Sequence, residues 1–142
     1  MERAVQETQS RLKPAYGKIQ HKLLLVEEDR GDLRDYFGSL CTLGYKVVVA
    51  KSYTHAQALL ERETFDLVIV GQGSPAFDGR QVVIRSLELN PHVPVIVVAR
   101  ALDIDCYLEA MELGAADYVE KGATPRDFMR ALDSRLQVES AA

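Results

Sequence analysis

Only a few side chains in this sequence are placed where they could do chemistry. The stretch from Phe65 to Gly79, FDLVIVGQGSPAFDG, carries a β-branched apolar run into a loop marked by Gly71, Gly73 and Pro75, the pattern of a buried strand ending in a turn. Gly71 offers no nucleophile, base or ligand, and Gln72 after it does not ionise. Gly71-Gln72-Gly73 begins like a phosphate-cradling glycine loop. It lacks a third glycine and opens onto Ser74-Pro75 rather than a helix, so nucleotide binding is not expected. Asp78 could be a carboxylate nucleophile, but its place beside Gly79 fits a helix cap better. His21, His55 and His92 stand apart without ligand spacing, which points to surface positions and no metal. Cys41 and Cys106 each fall inside an amphipathic segment, as packed free thiols do.

The elements around these residues follow one rule of alternation. KLLLVEE, YKVVVA, DLVIV, VPVIVVA and ADYVEK read as five strands, the fourth with the longest β-branched run and the fifth short and polar like an edge strand. Between them lie helical patterns. Asp32 to Leu43 places Leu33, Phe37, Leu40 and Cys41 on one face and is closed by Gly44. A second helix spans Thr54 to Glu63 behind Ser52 as cap, with Ala56, Leu59 and Leu60 inward. A third runs from Gly79 to Leu89 over Val82, Val83 and Leu87 until Asn90-Pro91. A fourth runs from Asp103, as cap, to Leu113 before Gly114. The last begins at Thr124-Pro125 and buries Phe128, Met129, Leu132 and Leu136. Strict alternation with short connections calls for right-handed crossovers and a parallel sheet with helices on both faces, an α/β fold. Alternation alone does not fix strand order, and the expected one is that of a flavodoxin-like, doubly wound five-stranded sheet, 2-1-3-4-5. That order brings Glu27, Glu28 and Gly71 to one rim, while Asp66 enters its strand at the other.

With 142 residues, 47% of them hydrophobic, and a net charge of -4, one domain with one substantial core is expected, and no basic field for nucleic acid. No run approaches a membrane span, and the polar start lacks a signal peptide's apolar segment, so the expected location is cytoplasmic. Residues 1–20 read as a polar arm in which Val5, Leu12 and Ile19 recur at heptad spacing, interrupted by Pro14. The arm either lies on the domain or pairs with a second copy. Residues 21–138 form the domain and 139–142 a disordered tail.

LLLVEED, DLVIVGQGSPAFDG, PVIVVAR and GAADYVEKG together closely resemble the receiver domain of bacterial two-component response regulators, in one register from Lys22 to Leu136. The resemblance implies an acidic pair for Mg²⁺ at Glu27 and Glu28, a phosphoacceptor at Gly71, a hydroxyl residue at Ala99, a phosphate-gripping lysine at Lys121 and an aromatic switch at Tyr118. Two of these positions have lost their chemistry, since neither glycine nor alanine can accept a phosphoryl group or donate to it. The glutamates add a methylene to each arm, which suits the strict octahedron of Mg²⁺ poorly. Gly122 also replaces the proline that the family places after the lysine.

The site is therefore expected to be degenerate, with no cofactor, weakened Mg²⁺ binding and no enzymatic activity. Lys121 is expected to approach Glu27 or Glu28 as an internal cation, and Tyr118 to stand in one rotamer. The family's contact surface implies Tyr107, Met111, Tyr118, Arg126 and Arg130 as candidates for phosphorylation-independent binding of another signalling protein, a histidine kinase or an effector chain, or of a second copy. The few residues after Leu136 leave no room for an effector domain, so output is expected to pass through another chain. The alternatives are a small-molecule or anion sensor in a vacated rim pocket, and phosphotransfer through an unusual carboxylate.

Overall fold

The computed structural model describes residues 20–121. Strands β1 (Lys22–Val26), β2 (Lys46–Ala50), β3 (Leu67–Gly71), β4 (Val95–Ala99) and β5 (Asp117–Glu120) alternate with helices α1 (Arg30–Thr42), α2 (Tyr53–Arg62), α3 (Arg80–Leu89) and α4 (Ile104–Leu113). All four strand pairings are parallel, and the order is β2-β1-β3-β4-β5. The expected sheet is the observed one. The arm, the last helix, the tail, and with them Arg126 and Arg130, lie outside the described residues.

Alternation along each strand divides the core in two. Leu24, Val26, Val68, Val70, Val95 and Val97 face Ala56, Leu59, Val82, Val83, Cys106 and Ala110 of α2 to α4. Leu23, Leu25, Ile69 and Ile96 face Tyr36, Leu40 and Cys41 of α1. β3 and β4 are buried along their whole length, as strands covered on both faces must be. Burial of this kind contributes roughly 25 cal/mol per Å² of apolar surface.

Caps fix where the helices start. Ser52 accepts from the His55 amide at 3.0 Å and Asp103 from the Cys106 amide at 3.0 Å, both as the sequence implies. Asp29 caps α1 by accepting from the Asp32 amide at 2.9 Å. α1 and α4 end at Gly44 and Gly114, with φ of 89° and 103°, conformations that cost glycine least. Asp78 does not cap α3. Its carboxylate accepts from the Ser74 amide at 2.7 Å, closing the loop on itself, and Gly79 occupies the cap position without a side-chain bond. The face of α1 also differs from expectation: Asp32 and Tyr36 are buried with Leu40 and Cys41, and Leu33 and Phe37 are only partly covered. Asp66 lies at the amino rim, as expected, where it accepts from the Lys22 amide at 2.7 Å.

The loop after β3 is pressed against the strand end. A Cβ at Gly79 would stand 2.4 Å from the Gly71 carbonyl oxygen, whereas one at Gly38, inside α1, would meet nothing within 4 Å. Gly79→Ala should therefore cost about 1–3 kcal/mol through overpacking, and Gly38→Ala should gain about 0.5–1 kcal/mol from helix propensity. Equilibrium urea unfolding checks both.

Candidate functional site

The carboxyl ends of β1, β3 and β4 and the turn after β5 form the rim. Backbone bonds lock their spacing: the Gln72 amide donates to the Val98 carbonyl at 2.8 Å, the Lys121 amide to Ala99 at 2.6 Å, and the Glu27 amide to Ala50 at 3.2 Å. Tyr53 donates its hydroxyl to the Gly71 carbonyl at 3.0 Å. Glu27 and Gly71 do meet here. The carboxylate of Glu27 turns over the end of β3, where a Cβ on Gly71 would lie 2.7 Å from Oε1, and its Oε2 accepts from the Asp29 amide at 3.1 Å. The space that the missing side chain would have left is thus filled by the neighbouring acid. Glu28, one residue on, is exposed.

Lys121 does not pair with either glutamate. Its ammonium is paired with Asp32 and lies 3.6 Å from Asp35 Oδ2, 5.9 Å from the centre of the Tyr36 ring. Asp32 also takes the guanidinium of Arg100 at 3.0 Å, and Arg100 reaches on to Asp29. The reason is burial: the Asp32 side chain is 6% exposed, and a carboxylate so enclosed must draw cations to it. Sequence reading by apolar periodicity puts a charge on the outer face of α1, so it misses this hub.

Electrostatics follow the geometry. Burial pushes the Glu27 carboxyl above the ordinary glutamate range, offset in part by the Asp29 and Glu28 amides. Burial likewise raises the Tyr53 and Tyr36 hydroxyls, with the Glu27 charge adding to both. The two cysteines are buried free thiols, each raised to about 11 by desolvation, which leaves them unreactive at neutral pH.

The acids at the rim do not converge as a divalent cation requires. Glu27 is turned onto β3, Glu28 faces outward and Asp29 holds Arg100. Among the described residues no group of three His, Cys, Asp or Glu side chains is placed to hold a metal, and His21, His55 and His92 lie apart. A shallow groove lined by Leu60, Phe65, Val68, Leu89 and Val93 lies at the opposite, amino end of the strands.

Tyr118 and Ala99 are both buried. The Tyr118 hydroxyl donates to Oε1 of Gln72 and accepts from the Asp103 amide at 3.2 Å, and Tyr107 stands edge-on to the ring with centroids 5.7 Å apart. The outer face of α4 is apolar: Ile104, Tyr107, Leu108 and Met111 are 60%, 39%, 52% and 39% exposed, at the spacing of one helical stripe. Among the described residues no helix is long and apolar enough to cross a membrane.

Comparison with known proteins agrees with this fold. A family model described as the response regulator receiver domain matches residues 23–133. The alginate biosynthesis transcriptional regulatory protein AlgB of Pseudomonas aeruginosa is 31% identical over 119 residues, covering 84% of this chain and 26% of its own length. The response regulator protein FleR of the same species is 37% identical over 100 residues, covering 70% and 21%. The chain thus spans about a quarter of the length of these curated relatives. Among solved structures, a CheY-like receiver domain protein from Methanospirillum hungatei superposes with a TM-score of 0.79 at 23% identity, covering 87% of this chain and 98% of its own.

Two outcomes test the rim. Because burial raises the folded-state pKa of Glu27 above that of the unfolded chain, the stability it contributes is present at low pH and lost as pH rises through the raised value. Glu27→Gln should therefore melt higher than the parent at about pH 7, with the gap closing by about pH 4, as thermal denaturation across that range will read. Removing both cations, Arg100→Ala with Lys121→Ala, leaves the Asp32 carboxylate enclosed and alone and should cost about 3 kcal/mol. Arg100→Ala by itself should cost under about 1 kcal/mol, since an ion pair made by a side chain that is 68% exposed is well screened; urea unfolding separates the two.

Proposed function

The chain belongs to the response regulator receiver family, and on that premise we propose that it is an atypical receiver whose output does not depend on phosphorylation at the usual strand end. The observation that carries this reading is the carboxylate of Glu27 lying over Gly71. A receiver that takes up a phosphoryl group needs a carboxylate nucleophile there, a hard cation beside it and a free donor to grip the transferred oxygens. Gly71 supplies no nucleophile. Glu27 stands in the approach to it, Ala99 has no hydroxyl, and the Lys121 ammonium is taken by Asp32 and Asp35.

The module then works by contact. The exposed stripe of α4, with Tyr107 and Met111, supports docking of another signalling protein, a histidine kinase or an effector chain, or of a second copy, in a cytoplasmic setting without nucleic acid or membrane. An exposed apolar surface of this kind selects partners by apolar fit more than by charge. Neither a resident cofactor nor enzymatic turnover belongs to this reading. The anion-sensor alternative has no support at the rim, where the expected pocket is filled.

Incubation with acetyl phosphate and Mg²⁺, followed by intact-mass measurement, tests the proposal. The expected result is no stable phosphoryl adduct and an unchanged melting temperature. An adduct that maps to any aspartate or glutamate of the rim would overturn it.

A further inference from the structure

Gln72 is 4% exposed, and an amide so buried must find its partners within the fold. It finds them on both sides. Oε1 accepts the Tyr118 hydroxyl and Nε2 donates to the Ser74 carbonyl at 3.3 Å. The hydroxyl in turn accepts from the amide of Asp103, the residue whose carboxylate caps α4. Tyr107, one turn into that helix, meets the Tyr118 ring at an interplanar angle of 83°. A continuous line of contacts therefore runs from the loop after β3, through β5, to the first turn of α4 and the apolar stripe it displays. Ala99, which has no polar side-chain atom, takes no side-chain part in that line.

We propose that Gln72 is the positioning residue of the α4 surface: its amide oxygen holds the Tyr118 ring inward, and the ring seats the start of α4. The link is made by the chain's own side chains and needs no ligand at the rim. It stands whether or not a phosphoryl group ever reaches that rim, so it is independent of the signalling mode proposed above. Packing alone offers a competing account of the buried ring, because Tyr107 would still cover it. The two accounts differ over the hydroxyl. A buried hydroxyl that loses its acceptor is better hydrated outside the core, whereas a phenyl ring has no such preference.

Three variants separate them: Gln72→Met, Tyr118→Phe, and the two combined. The readouts are the ring-to-ring nuclear Overhauser effect between Tyr107 and position 118 and the hydrogen exchange of the Asp103 amide. Amides of β3 in the same spectra report global opening. Gln72→Met should abolish the ring contact and speed exchange at Asp103 by roughly tenfold or more, with β3 unchanged. Tyr118→Phe should speed exchange at Asp103 while keeping the ring contact. The combined variant should regain that contact, since removing both polar partners leaves nothing unsatisfied. If Gln72→Met fails to fold, Gln72→Asn, whose amide falls short of the hydroxyl, carries the same test. An inward ring with a protected Asp103 amide in Gln72→Met or Gln72→Asn would overturn the proposal, as would loss of the ring contact in the combined variant.

Discussion

A carboxylate laid across the end of a neighbouring strand sets the character of this rim. β1 and β3 are adjacent and in register from Leu23 and Leu67 onward, so the residue after β1 sits beside the last residue of β3. Glutamate is one methylene longer than aspartate, and with glycine opposite there is nothing to stop its carboxylate from crossing over. The result is a half-buried acid whose desolvation is offset only in part by the Asp29 and Glu28 amides and by the field of Arg100. Glycine at position 71 and glutamate at position 27 thus form one steric unit. A side chain at Gly71 and the present rotamer of Glu27 exclude each other.

Asp32 does for the other side of the rim what Glu27 does for the middle. One enclosed carboxylate gathers Arg100 from the end of β4 and Lys121 from the end of β5, and so ties two loops to α1. Ion pairs of this kind add little net stability, because desolvation consumes most of the Coulomb attraction. Their effect is on position. They draw Lys121 toward α1 and away from the end of β3.

The strands and most helix boundaries were legible because apolar runs, glycine stops and side-chain caps are local signals. Parallel pairing followed from alternation, whereas alternation alone does not fix strand order, and the expected order matched the observed one. The empty positions Gly71 and Ala99 were equally plain, since a missing functional group is visible in sequence. What stayed hidden depended on contacts between distant segments. Asp32 reads as a solvent-facing charge until Arg100, 68 residues away, and Lys121 are seen to enclose it. Gln72 looked inert because it cannot ionise, yet its partner Tyr118 lies 46 residues on. Lys121 was matched to the nearest acids in the family pattern rather than to the most deeply buried one. Asp78 beside Gly79 has the local look of a cap, but the Ser74 amide lies within its reach and competes successfully.

The account rests on a rim closed by its own side chains, and titration of isotope-labelled protein with Mg²⁺, followed through the backbone amide resonances, tests that most directly. If Glu27 lies over Gly71 and Lys121 is held by Asp32, the amides of Glu27, Glu28, Gly71 and Gln72 should show only the weak, non-saturating drift of ionic screening. Saturable shifts confined to those four amides would mean that the acids converge on a cation, and the account would be wrong.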